Sequence, residues 1–249
     1  MADSAYSTNV SSPDTPKVVT IRSATTDQDM LNSHIETMTM KERQNLTTGS
    51  KVVVTIYDQE TRTQHQSQPI PLKVLKAAFN AVDSHLKTLE AQGKDLSKLD
   101  NVIVEVPCHK SFFAIMAYLK FSIIDAKGAL SDMRALPNDE MSLIGYMHIG
   151  EVAVALGFRH VLDQMKEKIL RTFYRGPGHR YRLPIQAVRA LAGNNHYSQF
   201  SNMVRDKLVS SAAQACLEHD LINKHGVEDI MEELPRFGDR VYAEHERLC

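Results

Sequence analysis

Apolar positions recur along this chain with two periods, every second residue in some stretches and every third or fourth in others, and the switches between them outline the fold. The clearest strand is Lys51-Val52-Val53-Val54-Thr55-Ile56-Tyr57, a β-branched and aromatic run opened by Gly49-Ser50. Such residues fit a pleated, half-buried surface. Asp58-Gln59-Glu60 reads as a turn and Thr61 to Gln68 as a polar partner strand, giving a hairpin near Gln59 whose second strand faces water or lies at an edge. Asn101 to Val106 is a further strand, stopped by Pro107, which has no N–H for a ladder. Val18 to Ile21 is a short strand of the same kind.

The helical period begins at Pro71, where a missing N–H does no harm at a helix start. Leu72, Leu75, Phe79, Val82, Leu86 and Leu89 follow at steps of three and four, and Gly93 ends the helix. This stripe is either a core-facing helix or a coiled-coil seam. A seam needs roughly three to four heptads, which the stripe does not reach, so the core reading is preferred. The next helix runs through Phe112, Phe113, Met116, Leu119 and Ile123, and Asp125 to Asp139 is a polar connection. Further helices are predicted over 140–157, 160–174, 184–193 and 198–219, with shorter pieces after Val227. Gly150, Ala153 and Ala155 keep the first of these thin enough for close packing. The second places Leu162, Met165, Ile169 and Phe173 on one face and Lys166, Lys168 and Arg171 away from it.

Ahead of the first long strand, Leu31, Ile35 and Met38 sit at helical spacing between Asp27, placed to cap, and Leu46. So short a helix is marginal alone and must pack on its own domain or on a second copy. The first sixteen residues, rich in Ser, Thr, Asp and Pro, bury too little apolar surface to offset ordering entropy and are expected to form a disordered tail.

Composition narrows the function classes. Hydrophobic residues make up 43% of the 249, charged residues 24%, and the formal net charge is -1, so nucleic acid or an acidic membrane would have to be met by a local patch. Cys108, Cys216 and Cys249 are odd in number and lack motif spacing, which points away from a disulfide framework and toward a reducing compartment. The opening Met1-Ala2-Asp3-Ser4 has no basic or apolar leader character, and no apolar run approaches the ~20 residues of a membrane span. The expected location is intracellular, cytoplasmic or nuclear.

Phosphate-cradling, nucleophile-elbow, HExxH and EF-hand motifs are all missing from the sequence. Among eleven histidines, His219 and His225 lie near Cys216 with Glu218 between, but a structural zinc site needs four ligands and no second paired set follows. Pro107-Cys108-His109 places a thiol beside a base. Adjacent residues project in different directions, so the pair is read as a packed cysteine and a helix-start histidine. Lys166, Lys168, Arg171, Arg175, Arg180 and Arg182 form a basic stretch interleaved with Phe173, Tyr174 and Tyr181, the residue types that contact phosphates and stack on bases. Half of these charges lie on a helix whose other face is apolar, so a solvated face plus loop explains them and nucleic-acid contact is not the expected reading.

The order hairpin, helix, strand, helix and paired helices resembles the BTB/POZ domain, most closely the divergent BTB-like proteins of filamentous fungi. Val52 to Ile56 is similar to that family's first strand, Ile70 to Phe79 to its first core helix, Val102 to Pro107 to its third strand, and Phe112 to Ile124 to the helix after it. Gly145 to Leu170 resembles the family's helix pair and Ser198 to Ala213 the helix behind the domain in the fungal group. The chain departs from the pattern at Lys51, at Gln68-Pro69-Ile70 and at Phe121-Ser122. The resemblance implies a helix-dominated α+β fold, with a tail over 1–46, a BTB/POZ-like domain over 47–175 and a helical extension over 176–249. It further implies a non-catalytic protein–protein interaction module, a scaffold or adaptor that binds other proteins or itself, without cofactor, metal or small-molecule substrate. In dimeric members an N-terminal helix lies across the subunit interface, a role that would fall to Leu31, Ile35 and Met38. The alternative is a nucleic-acid-associated factor using 166–182, and a third is an enzyme of unrecognised type.

Overall fold

The computed structural model describes residues 18–21, 34–124, 133, 140–173, 189, 192, 199–217 and 221–249. The expected tail, Leu31, most of the connection after Ile124 and most of the predicted helix over 184–193 lie outside them. The described fold is α+β and dominated by helices, with one small sheet packed on helices and further helices toward the C-terminus.

The strands are β1 (Val18–Ile21), β2 (Lys51–Asp58), β3 (Gln64–Gln66), β4 (Ile70–Pro71) and β5 (Asn101–Val106). Their order is β1-β5-β2-β3, with β4 also paired to β2. The β2–β3 hairpin is antiparallel, as its turn predicts, and β3 is short and mostly exposed at the edge. β5 runs parallel to both neighbours. The register puts Val54 and Val19 beside Val102, and Ile56 and Ile21 beside Val104. All six are buried, so alternation on three strands agrees on a single inner face, and any slip would expose it.

Helices α1 (His34–Thr37) and α2 (Met40–Asn45) occupy the segment predicted as one helix. Thr39 breaks it: its hydroxyl accepts from the Glu42 N–H while Glu42 accepts from the Thr39 N–H, a capping box that starts a new helix. The long stripe is divided as well, into α3 (Leu72–Ala78) and α4 (Asn80–Ala91), because Phe79 adopts an extended backbone at φ -117° and ψ 103°. The break lets α3 pack against α1 and β4 while α4 packs against β1 and the helix over Glu140–Leu156. Leu75, Phe79, Val82 and Leu86 are all buried, so the stripe serves the core. Phe79 is its centre, with its ring centroid 6.3 Å from Phe112 and 5.8 Å, edge-on, from Phe158.

Beyond the sheet come α5 (His109–Ile124), α6 (Glu140–Leu156), α7 (Arg159–Phe173), α8 (Gln199–Leu217), α9 (Leu221–Glu233) and α10 (Pro235–Leu248). The last two are longer than the short pieces predicted after Val227. Pro235 occupies the first turn of α10, where its ring suits the helix. α6 is central, packing on α4, α5, α7, α8 and β5. Gly150, Ala153 and Ala155 are buried on it, which is the close packing their size predicts. Val204, Leu208, Ala212, Val227 and Ile230 from the C-terminal helices join the same hydrophobic core as the sheet. Phe79→Ala should destabilise the protein by ~3–5 kcal/mol, the range for large aromatic truncations in a core. Chemical denaturation reads this directly, and an unchanged midpoint would return the stripe to the surface.

Candidate functional site

Parallel pairing of β2 and β5 ends with Asp58 opposite Val106, and the Gln59 N–H extends it by donating to the Val106 carbonyl at 3.0 Å. The residues that follow both strands therefore emerge side by side. Glu60 and Cys108 meet there, and α6, packed on β5, brings His148 to them. One ligand atom from each of the three lies within 4.8 Å of the other two. Cys108 is 9% exposed, His148 is half-buried and Glu60 is exposed, so the cluster is closed on the core side and open at the hairpin turn.

The thiol and the imidazole perturb each other. A hydrogen bond with His148 brings the Cys108 thiol down to about 7 against the upward push of burial, and hydrogen bonds with Ser111 add to the effect. The same bond raises His148, opposed by burial and helped by the charges of Cys108, Glu151 and Glu60. An imidazole that stabilises a neighbouring thiolate is the arrangement of a reactive or metal-ligating cysteine. Sulfur, nitrogen and carboxylate oxygen also form a donor set suited to a transition metal.

A second constellation holds the first in place. Asp58 continues the inner face of β2 beyond Ile56 and is buried. Its Oδ1 accepts from the Thr61 N–H at 2.7 Å, and its Oδ2 accepts from the His109 N–H at 2.7 Å. His109 Nδ1 lies 2.6 Å from the same Oδ2. Burial would raise the Asp58 carboxyl, but the bonds from Thr61 and His109 hold it well below the usual carboxylate range. The carboxylate is therefore the acceptor and Nδ1–H the donor. Asp58 clamps the hairpin turn onto the start of α5 and satisfies one of that helix's orphan N–H groups from a distance. His65 stacks on His109 with centroids 3.7 Å apart and places Nε2 2.8 Å from the Thr63 hydroxyl.

Cys108 and His109 thus point to different partners, as expected of sequence neighbours. Sequence reasoning missed Asp58, Glu60, His65 and His148 as members of a site. Asp58, Glu60 and His65 share one hairpin, but no short spacing joins them to Cys108 or to His148, and the one local signal was an aspartate continuing a strand's apolar face. Of the three N-terminal residues named for an interface, Ile35 is fully buried in the chain's own core and Met38 packs partly against it. Leu31 is outside the described residues. In the basic stretch, Lys166 lies 3.6 Å from Asp163, and the Lys168 ammonium sits 5.9 Å from the centre of the Tyr146 ring. The Arg171 side chain, Arg175, Arg180 and Arg182 fall outside the described part. Cys216 is half-buried and packs against the core, and Glu218 and His219 lie outside that part.

Elsewhere the surface carries an apolar groove of about 550 Å³ between α5 and the β3–β4 edge, lined by Pro69, Ile70, Phe113, Met116 and Ile123 with Lys51 and Lys120 on its rim. Phe113 is 37% exposed, and further along α5 Phe121 is 65% exposed. No described helix is long and apolar enough to cross a membrane. No protein-family model, curated protein or solved structure matches the chain.

Asp58→Ala should destabilise the protein by roughly 2–4 kcal/mol in urea, since it strands two backbone donors that are worth ~1–3 kcal/mol each when buried and unsatisfied. Because the folded carboxyl is depressed, its contribution is complete above the unfolded value of about 4 and is lost as pH falls through the folded one. The gap between wild type and variant should narrow in acid; a gap that widens there contradicts the clamp. For the thiol, ultraviolet absorbance of a Cys216→Ser/Cys249→Ser variant in chelator should show ionisation centred near pH 7. His148→Gln should move that midpoint up toward the ordinary ~8.5. A midpoint already at the ordinary value with His148 in place would dismiss the pair.

Proposed function

We propose that this chain is a non-catalytic protein–protein interaction module of the BTB/POZ-like kind, a scaffold or adaptor that works by self-association. The observation that carries the reading is the exposed apolar stripe of α5, where Phe113, Ala117 and Phe121 recur at every fourth position on the outer side of a helix whose other side is buried. Large aromatics held in water on one rigid helix mark contact surfaces more often than isolated aliphatics do. The groove beside Phe113, rimmed by Lys51 and Lys120, extends that surface to the sheet edge. An apolar stripe is self-complementary, so two copies related by a two-fold axis can each bury the other's aromatics. The succession of hairpin, helical segment (split into α3 and α4), strand, helix and paired helices over 51–173 supports the same reading, since hairpin, helix, strand, helix and paired helices is the order on which the resemblance rests. An intracellular location, cytoplasmic or nuclear, goes with it.

Nucleic-acid binding through 166–182 gains no support from the described lysines, each of which already has a neighbour within its own chain. Light scattering coupled to size exclusion should give wild type twice the 28.0 kDa chain mass, and Phe121→Glu, an exposed site that leaves the core alone, should elute as a monomer. A monomeric wild type over a wide concentration range refutes self-association. Steeply salt-dependent retention of wild type on an anionic resin would instead favour the basic patch.

A further inference from the structure

We propose that Glu60, Cys108 and His148 bind one divalent transition-metal ion of borderline softness, zinc above all, with a remaining coordination position open to solvent. The three residues come from three different elements: the β2–β3 turn, the start of α5 and the middle of α6. Each offers a different donor, and their ligand atoms already lie within 4.8 Å of one another. Zinc bonds of roughly 2.0–2.3 Å in a tetrahedron set neighbouring ligand atoms about 3.3–3.8 Å apart. The observed separation is within reach of that spacing, and Glu60 is the exposed member with room to turn inward. A thiolate and a carboxylate offset the charge of a dication, with the imidazole neutral.

The donor set selects the metal. Calcium and magnesium require nearly all-oxygen shells, which a cysteine and a histidine cannot supply. Copper, cobalt and zinc accept sulfur and nitrogen together, and three protein ligands plus solvent form an exchangeable centre, unlike the closed four-ligand structural type. Outer contacts fix the ligands as metal sites require. Ser111 hydrogen-bonds to Cys108, and Glu151 lies near His148, one turn along α6. The Asp58 clamp ties the Glu60 turn to the segment bearing Cys108. The ion enters from the solvent side at Glu60, and its binding displaces the thiol proton of Cys108. The site uses neither His219 nor His225, the histidines that sequence spacing had set beside Cys216.

The test is a titration of the full chain, reduced and stripped of metal, with cobalt(II) and then zinc. One equivalent of cobalt should produce a thiolate-to-metal charge-transfer band in the near ultraviolet and intense visible bands of tetrahedral type, both abolished by zinc. Cys108→Ser should remove the charge-transfer band. His148→Gln and Glu60→Gln should each weaken cobalt binding about tenfold or more, in line with the losses that follow damage to a metal site. Glu60 is an exposed turn residue, so its variant reports on binding with the fold intact. The Cys216→Ser/Cys249→Ser variant should behave as wild type. Wild type without the thiolate band, or a band that persists in Cys108→Ser, overturns the site. Oligomeric state is read separately by light scattering, so failure here leaves self-association standing, and the reverse.

Discussion

Asp58 lies opposite Val106 because β2 and β5 run parallel, and the register that places them there is locked by the inner face of the sheet. A slip of one residue on either strand would turn Val52, Val54 and Ile56, or Val102 and Val104, from the core toward water. With burial of such side chains worth about 1.5–3 kcal/mol each, no contact in the turn region could compensate. The core therefore fixes how the turn after β2 and the segment after β5 meet. The Glu60–Cys108–His148 cluster and the Asp58 clamp are consequences of that alignment.

α6 supplies the third member and illustrates how packing and chemistry share one element. Its small residues let it sit close to several neighbours at once, with Gly150, Ala153 and Ala155 buried. His148 leaves the same helix toward the strand ends, beside Glu151, which is itself buried. The groove and the exposed α5 stripe depend on the same frame. Phe112 faces inward to Phe79, whereas the adjoining Phe113 faces the groove and meets His109 edge-on at 6.4 Å. α5 thus joins the proposed contact surface to the cluster through one short run of residues.

Local pattern carried much of the fold. Strand composition located β2 and β5, period-two alternation chose their inner faces, and the three-four spacing from Leu72 to Leu89 identified buried helix. Its failures were local as well. The capping box at Thr39 splits a segment read as one helix, because hydrogen bonds from a side chain can outweigh continued periodicity. Phe79 interrupts the longer stripe, because two directions of burial suit its neighbours better than one straight rod.

The candidate site was nearly illegible for a different reason. By itself the sequence determined which faces are apolar, where the hairpin turns, and that Cys108 and His109, as neighbours, would diverge. Only the tertiary structure decided what each would meet. Glu60, Cys108 and His148 are far apart in the chain, and no spacing rule links a hairpin turn, a helix start and the middle of another helix. Their meeting follows from parallel strand pairing and from the packing of α6 on β5, both set by the burial of apolar side chains that take no part in the chemistry.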